Sequence, residues 1–219
     1  MKSLKATLIG SSGLIGSNLL EILKSDDDFS ELKIIVRRPL KTNHPKVTEE
    51  VIDFADNKAF KESIAGSDVV FCAVGTTNKK VKGDKAEYRK VDYDIPVNAA
   101  KFCKEAGCPK FIFVSSVGAN SQSKNFYLKL KGEVEDAVKS LEINTAISVR
   151  PSLLLGKRKE YRFGEFIGKY LIVPLSVFFP SQMKPIKAVT VAKAMQIASK
   201  KEFVGFKVFH RKEMKELIN

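Results

Sequence analysis

The chain has few of the residues from which disulfide frameworks, metal centres and membrane spans are built. It contains three cysteines and two histidines among 219 residues, and the cysteines lack the spacing of metal ligands. Its longest apolar run, from Tyr170 to Pro180, is too short to span a bilayer and includes Pro174. No secretory signal is visible at the N-terminus. We therefore expect free thiols in a reduced, cytoplasmic compartment.

Metal and triad chemistry are not expected either. His44 and His210 are isolated from the partners that a metal site or a Ser-His-Asp triad requires. The run Asp26 to Asp28 does not have the spacing of a calcium loop, and we expect it to end the first helix in solvent. Cys72 falls in a predicted buried strand, so it is interpreted as a core residue.

Positive charge is abundant but not clustered. The formal net charge of +13 suggests nucleic-acid binding. However, the lysines are spread along the chain, and no aromatic and basic module for stacking bases stands out. Attraction of an anionic cofactor or of an unidentified small-molecule substrate accounts for the same charge, so specific nucleic-acid binding is not expected.

Apolar periodicity divides most of the chain into alternating strands and helices. This order predicts one α/β domain over residues 1–219, a doubly wound parallel sheet of Rossmann type. The predicted strands are Leu4 to Ile9, Leu32 to Val36, Val47 to Phe54, Val69 to Val74, Lys110 to Val114, Thr145 to Val149 and Phe203 to Phe209. The predicted helices are one beginning near Leu14, then Asp56 to Ala65, Ala86 to Ala106, Phe126 to Ser140, Ala188 to Ser199 and Glu213 to Ile218.

The regular alternation of strands and helices ends after Arg150-Pro151. The segment of residues 156–184 is basic, aromatic and interrupted by prolines. This segment could form a small C-terminal lobe over the carboxyl edge of the sheet, where ligands bind in such folds. Its apolar face could instead cover the core, contact another subunit of a homo-oligomer or touch a membrane surface. The segment is therefore assigned as a substrate lid or a subunit contact within the single domain.

The most informative motif is the glycine-rich stretch Gly10-Ser11-Ser12-Gly13-Leu14-Ile15-Gly16, which lies between the first strand and the first helix. Gly10 permits a sharp turn, Gly13 permits close approach of a pyrophosphate, and Gly16 permits close packing of the helix on the sheet. The N–H groups that begin the helix, around Ser12, Leu14 and Ile15, favour negative charge. The stretch predicts a dinucleotide-binding loop.

Two arginines indicate which dinucleotide is bound. The second strand ends at Arg37-Arg38, and no acidic residue stands where NAD-preferring domains hold the adenosine ribose. Guanidinium groups there can pair with a 2′-phosphate. The other interpretation is a solvated basic turn before Pro39. The glycine loop about 20 residues upstream favours the phosphate role, and hence NADP(H) as the cofactor.

A second constellation could carry chemistry. Ser115 and Ser116 end a predicted strand, and Tyr127 and Lys131 follow at the spacing that puts them on one face of a helix. A lysine ammonium near a phenol lowers its pKa, so tyrosine can act as a general acid or base. A serine hydroxyl can hold the substrate oxygen. A Tyr–Lys pair at this spacing often occurs by chance on an exposed helix. Here the order of the motifs, with the glycine loop first, then the serines and then the Tyr–Lys pair, favours catalysis.

Taken in order, these motifs resemble the short-chain dehydrogenase/reductase superfamily in its extended or atypical branch, over residues 1 to about 200. The chain is most similar to the Tat-interacting-protein-like oxidoreductases in three stretches, 71–77, 115–119 and 127–135. By this resemblance, Asp53 and Phe54 border the adenine, and Val74, Gly75 and Thr76 run past the cofactor ribose. Ser116 is the catalytic serine, with Ser115 the less favoured choice. Lys131 also holds the nicotinamide ribose, and the segment from Pro151 lines the nicotinamide and substrate pocket.

The leading hypothesis is an NADPH-dependent oxidoreductase in which Ser116, Tyr127 and Lys131 act on a carbonyl or alcohol. The main alternative is an NADP(H)-binding regulatory or partner-binding protein with little or no turnover, because the branch includes such members. An epimerase or isomerase ranks last, since the chain is short for a nucleotide-sugar pocket.

Overall fold

The computed structural model of the protein describes residues 3–77, 79–156 and 181–219. Within these ranges the strands are β1 (Leu4–Ile9), β2 (Phe29–Val36), β3 (Val47–Val51), β4 (Val69–Cys72), β5 (Lys110–Val114), β6 (Thr145–Val149), β7 (Leu154–Leu155), β8 (Ile186–Lys187) and β9 (Gly205–Phe209). The helices are α1 (Leu14–Lys24), α2 (Asn57–Ile64), α3 (Lys85–Arg89), α4 (Ile95–Glu105), α5 (Phe126–Ser140), α6 (Ala188–Lys200) and α7 (Arg211–Glu216).

Seven of the strands form one sheet in the order β3-β2-β1-β4-β5-β6-β9, and every neighbouring pair is parallel. The predicted doubly wound parallel sheet is therefore confirmed. After β3 the chain returns to the other side of β1 to form β4, so the direction of winding reverses between β1 and β4. Ligands of open α/β sheets bind at the carboxyl ends of the strands on either side of such a reversal.

Helices cover both faces of the sheet, which explains the nearly continuous apolar strands. Strand β4 illustrates this arrangement, because all four of its residues are buried. Val69 and Phe71 pack in the core that contains α1 and α6, whereas Val70 and Cys72 pack in the opposite core with α2 and α4. The assignment of Cys72 to the core is confirmed, and burial raises the pKa of its thiol to about 11.

The predicted helix from Ala86 to Ala106 is divided by one wide π-helical turn, Lys90–Asp94, that joins α3 to α4. Pro96 lies at the start of α4. Its ring nitrogen cannot donate to the carbonyl of Asp92, four residues back, and its ring crowds the preceding turn. The widened turn relieves this conflict, and π turns of this kind occur frequently at functional sites.

The expectation that Asp26 to Asp28 end the first helix in solvent is wrong for Asp26. Its side chain is 12% exposed and pairs with the Lys200 ammonium of α6 at 2.7 Å. Gln196 of α6 also donates to this carboxylate. The acidic end of α1 therefore ties the N-terminal and C-terminal halves of the domain together. The sequence separation of the partners hid this contact from pattern analysis.

The short strands β7 and β8 pair in parallel and were not predicted. They lie on either side of residues 157–180, so most of the segment assigned as a lid or subunit contact, and the proposed C-terminal lobe, lies outside the described residues. None of the helices within the described ranges has the length and apolar character needed to cross a bilayer.

Candidate functional site

A cavity of about 660 Å³ opens where the winding of the sheet reverses, at the carboxyl ends of β1, β2 and β4. It lies where parallel α/β sheets bind their ligands. The residues that line it are Gly10, Ser11, Ser12, Gly13, Ile35, Val36, Arg37, Arg38, Pro39, Leu40, Phe54, Ala73, Val74, Gly75, Thr76, Lys80, Val91 and Ile95. Its size is within the usual range for a small-molecule or cofactor pocket.

The glycine loop forms the part of this cavity next to α1. Gly10 has a φ of +89°, and a Cβ there would lie 2.7 Å from the carbonyl carbon of Ala73. A Cβ on Gly16 would lie 2.1 Å from the Gly10 carbonyl oxygen. Both positions therefore require glycine, as the motif predicts: one for the turn and one for the packing of the helix against the loop.

The N-terminus of α1 is suited to an anion. Gly13 is the N-cap, and among the described residues no side chain caps the helix and no acidic residue lies in its first turn. The N–H groups of Leu14, Ile15 and Gly16 therefore lack side-chain acceptors, and the helix dipole favours negative charge there. Ser12 is exposed on the cavity wall, whereas the hydroxyl of Ser11 is buried with no hydrogen-bond partner in the described part of the chain.

Arg37 and Arg38 line the cavity just beyond β2, and both are exposed. Within the described ranges, neither guanidinium has a hydrogen-bond or ion-pair partner, and none of the described residues that line the cavity is acidic. Two unpaired guanidinium groups at the mouth of a cavity can each take a phosphate oxygen pair. The geometry is compatible with the sequence-based assignment of both residues.

The other residues expected around the nucleotide are only partly brought together. Phe54, Val74, Gly75 and Thr76 line the cavity. Asp53 does not line it: the residue is exposed, and its carboxylate accepts a hydrogen bond from the Ala55 N–H at 2.9 Å. Asp53 therefore shapes the turn before α2, and the structure gives it no contact with the cavity.

The residues assigned to catalysis lie beside the cavity and do not line it. Tyr127 and Lys131 are on α5, and the Lys131 ammonium lies 5.9 Å from the centre of the Tyr127 ring. Tyr127 is 37% exposed, whereas Lys131 is buried. The predicted placement of both residues on one face of a helix is consistent with this geometry.

Helix α5 is fixed in position by its surroundings. The Asn125 side chain caps it by accepting from the Leu128 N–H at 3.1 Å. A Cβ on Gly132 would lie 2.1 Å from the Ser121 nitrogen, so the helix touches the backbone of the loop that follows Ser116. One turn beyond Lys131, the buried Glu135 pairs with Arg150, whose Nε donates to it at 2.9 Å. These contacts hold Tyr127 and Lys131 against the carboxyl ends of β5 and β6.

The two serines differ in their surroundings. Ser115 is 3% exposed, and its hydroxyl has no hydrogen-bond partner among the described residues. Ser116 is half-buried, and its hydroxyl donates to the Val117 carbonyl at 3.2 Å. Pro151 is buried and its carbonyl accepts from the Val117 N–H at 3.0 Å, which anchors the loop that carries Ser116.

Asp92 is the functional candidate that sequence reasoning missed. It lies in the π turn, is 2% exposed, and its Oδ1 is 2.9 Å from the Lys131 ammonium. Its Oδ2 accepts from the Thr76 N–H at 2.6 Å. One carboxylate thus links the catalytic candidates on α5 to the cavity wall. The one sequence signal was its position four residues before Pro96, within a predicted helix.

The electrostatics of this link keep Lys131 charged. Burial alone lowers the pKa of a lysine, but the charges of Asp92 and Tyr127 outweigh it, and the pKa of Lys131 is raised above its usual 10.5. This fixed positive charge lies beside the Tyr127 ring. The arrangement can therefore support proton transfer at Tyr127, with a nucleotide held in the neighbouring cavity.

Comparisons with known proteins agree with this geometry. The profile of a family described as NAD(P)H-binding matches residues 10–165. The chain is 33% identical to Protein HTATIP2 of Rattus norvegicus, over 89% of this chain and 81% of that protein. It is 38% identical to Protein FMP52, mitochondrial, of Debaryomyces hansenii, over 72% of this chain and 70% of that protein. The resemblance found in the sequence is thereby confirmed.

Solved structures share the fold. The complex of MoeE5 with UDP-glucuronic acid and NAD has a TM-score of 0.73 at 15% identity, covering 94% of this chain and 75% of that one. The UDP-N-acetylglucosamine 4-epimerase of Methanobrevibacter ruminantium M1 has a TM-score of 0.74 at 19% identity, covering 96% of this chain and 77% of that one. At these identities the likeness establishes the Rossmann-type fold alone.

The expected cytoplasmic location is wrong. FMP52 relatives from Debaryomyces hansenii, Meyerozyma guilliermondii and Candida albicans are all named as mitochondrial proteins. The expectation rested on free thiols. Cysteine usage reports the redox state of a compartment and does not identify the compartment.

Proposed function

Because this chain belongs to the NAD(P)H-binding family, we propose that it is an NADPH-dependent oxidoreductase acting on a carbonyl or alcohol carbon. The observation that carries the proposal is the position of Lys131. Its ammonium is buried beside Tyr127 and is joined through Asp92 to Thr76 on the cavity wall. This link supports the proposal that Tyr127 transfers a proton beside a nicotinamide nucleotide held in the cavity.

The residues around the cavity fit a dinucleotide. Glycine at position 10 lets the loop pack against the Ala73 backbone, where a Cβ would overlap it, and the uncapped start of α1 offers N–H groups to a pyrophosphate. Arg37 and Arg38, both unpaired within the described ranges, favour the 2′-phosphate that distinguishes NADPH from NADH. A charge-assisted hydrogen bond contributes about 1.5–3 kcal/mol, so one good contact would favour NADPH by about 10- to 150-fold.

The protein's own groups would handle the proton. The bound nicotinamide supplies or accepts the hydride. During reduction, the Tyr127 phenol donates its proton to the substrate oxygen, and during oxidation it takes that proton back. Lys131 places a positive charge beside the ring that carries this phenol. Ser116 is favoured over Ser115 for orienting the substrate oxygen, because Ser116 is half-buried and Ser115 is enclosed.

A two-part experiment tests the function. First, equilibrium titrations compare NADPH with NADH, and tighter binding of NADPH is expected. Second, oxidation of NADPH is measured with a panel of carbonyl compounds for the wild type and Tyr127→Phe. The variant should lose turnover and keep cofactor affinity, because the substitution removes only the phenolic hydroxyl.

The outcomes separate the alternatives. Equal turnover by Tyr127→Phe would refute the catalytic role of that residue. Tight NADPH binding without oxidation of any carbonyl, together with a partner whose affinity depends on the cofactor, would instead identify a cofactor-dependent regulator. Equal affinity for NADH and NADPH would show that Arg37 and Arg38 do not select the 2′-phosphate.

A further inference from the structure

Two of the three cysteines meet at the C-terminus of α4, away from the cavity. Cys103 is in the last turn of the helix, and Cys108 lies in the link to β5. Their thiols approach the same acceptor: Cys103 Sγ is 3.7 Å and Cys108 Sγ is 3.5 Å from the Lys110 carbonyl oxygen. The two side chains are therefore neighbours in the core between α4 and β5.

The end of the helix explains why these residues meet. The Cys108 N–H donates to the Cys103 carbonyl at 2.9 Å, and the Gly107 N–H donates to the Lys104 carbonyl at 3.1 Å. Gly107 has a φ of +69°. This is the Schellman arrangement, in which the two residues at the positions of Cys103 and Cys108 bring their side chains into contact. The contact is usually apolar, but here both members are thiols.

The backbone permits a covalent bond between them. Because the Cys108 nitrogen and the Cys103 oxygen are 2.9 Å apart, standard bond lengths leave the two Cα atoms no more than about 6.8 Å apart. Disulfides span Cα separations of about 4.4–6.8 Å. No movement of the backbone beyond the last helical turn is required.

The surroundings assign different roles to the two thiols. The hydrogen bond with Cys103 lowers the pKa of Cys108, and the same bond, together with burial, raises the pKa of Cys103. Both thiols are buried: Cys108 is 4% exposed and lies between the exposed residues Gly107 and Pro109, whereas Cys103 is fully enclosed. Cys108 is thus the thiol that a small oxidant reaches first, since the thiolate is the reactive form.

We propose that Cys103 and Cys108 form a redox-active dithiol that hydrogen peroxide converts into an intrachain disulfide. The Cys108 thiolate attacks one peroxide oxygen, the O–O bond breaks, and hydroxide leaves and is protonated to water. This gives a Cys108 sulfenic acid. The Cys103 sulfur then attacks the Cys108 sulfur, the S–O bond breaks, and the departing hydroxide takes the Cys103 proton. The two thiols lose two electrons, and the peroxide becomes two waters.

The test uses the full-length folded chain and hydrogen peroxide as the probe. After exposure, remaining thiols are alkylated, the protein is digested with trypsin without reductant, and peptides are mapped by mass spectrometry. Trypsin cuts after Lys101, Lys104 and Lys110, so the bond should join peptides 102–104 and 105–110. Reduction with dithiothreitol should separate them. Cys72, deep in the core, should be alkylated only after unfolding and serves as the internal control.

Single substitutions test the assigned roles. With Cys103→Ser, peroxide should stop at a Cys108 sulfenic acid, which dimedone traps. With Cys108→Ser, Cys103 should stay reduced. Preferential trapping at Cys103 would refute the roles. In the wild type, recovery of unlinked Cys103 and Cys108, linkage of either to Cys72, or a linkage that forms only in denaturant would refute the dithiol itself, whether or not the variants fold.

Discussion

Replacing Asp92 with asparagine should destabilise the protein most at neutral pH and progressively less as the pH rises. The substitution keeps the size and planar shape of the side chain but removes the charge 2.9 Å from the Lys131 ammonium. The two side chains are only 2% and 5% exposed, so water cannot replace that charge. The variant therefore tests whether Asp92 is what keeps Lys131 charged inside the protein.

The wild type sets the sign of the expected effect. The pKa of Lys131 in the folded protein is raised above 10.5, because the charges of Asp92 and Tyr127 outweigh burial. A group whose pKa is higher in the folded state contributes its full stabilisation at pH values below its pKa in the unfolded state. The contribution is lost as the pH rises through the folded pKa, so in the wild type it declines only in strongly alkaline solution.

In the variant, the contribution of Lys131 to stability changes with pH in the opposite direction. Breaking a buried ion pair by removing one partner costs about 3–5 kcal/mol. Without the charge of Asp92, burial, the largest influence on the Lys131 amine, lowers its pKa, so the amine loses its proton at a lower pH than in the wild type. The free energy needed to hold it neutral then falls by about 1.4 kcal/mol for each pH unit. Between about pH 7 and pH 9, the variant should regain up to about 3 kcal/mol relative to the wild type.

Urea unfolding at several pH values in this range provides the measurement. Asp94→Asn is the matched control, because it removes a carboxylate from the same π turn, and no contact links Asp94 to Lys131 in the described part of the chain. In the double variant Asp92→Asn, Lys131→Met, the pH dependence should disappear. A stability deficit that stays constant with pH, or that persists with the same slope in the double variant, would refute the electrostatic argument.

Two further predictions concern the cavity and the packing of α5. Substituting both Arg37 and Arg38 with alanine should weaken NADPH binding by at least about 10-fold and leave NADH binding almost unchanged, since only NADPH carries the 2′-phosphate. If isothermal titrations showed that NADPH and NADH binding were weakened equally, this prediction would be contradicted. Gly132→Ala should cost about 1–3 kcal/mol or more in urea unfolding, because its Cβ would lie 2.1 Å from the Ser121 nitrogen. Gly75→Ala is its control, with the nearest atom, Asp92 Oδ1, at 3.7 Å, and an equal loss of stability in both would show that the close approach at Gly132 is not the cause.

The fold was largely predictable from the sequence because its strands are covered on both faces. Lys110–Val114 and Thr145–Val149 are short apolar runs bounded by polar residues, and their predicted limits match the observed ones. Strands β7 and β8 could not be predicted, since two-residue elements have no periodicity and their pairing joins distant parts of the chain. The π turn was hidden for another reason: Pro96 was interpreted as part of a continuous helix.

The candidate site was predictable where a local motif carries it. The glycines at positions 10, 13 and 16 form a motif that can be read within seven residues, although the contact that requires glycine at position 10 is with the distant Ala73. The spacing between Tyr127 and Lys131 is likewise local. Asp92 had no such motif. Its importance comes from two contacts, with Thr76 and Lys131, that depend on the packing of the π turn between β4 and α5. Pattern analysis finds residues that are close in sequence and misses a contact made by the tertiary fold.

The two oxygens of Asp92 have different partners, so its two roles can be separated. Oδ2 accepts from the Thr76 N–H at 2.6 Å, and Oδ1 faces the Lys131 ammonium. Asparagine keeps an acceptor for Thr76 and loses the charge, whereas alanine loses both. Asp92→Asn and Asp92→Ala should therefore share the stability defect at neutral pH, but only Asp92→Ala should release the Thr76 segment that lines the cavity.

Cofactor titration can detect this difference. A hydrogen bond to a charged group contributes about 1.5–3 kcal/mol, so Asp92→Ala should weaken NADPH binding by up to about 10- to 150-fold. Asp92→Asn should bind nearly as the wild type does at about pH 9, where most of its stability is regained. Asp94→Ala is the matched control. If both Asp92 variants bound NADPH equally well, the Thr76 contact would have no part in shaping the cavity, and Asp92 would act through Lys131 alone.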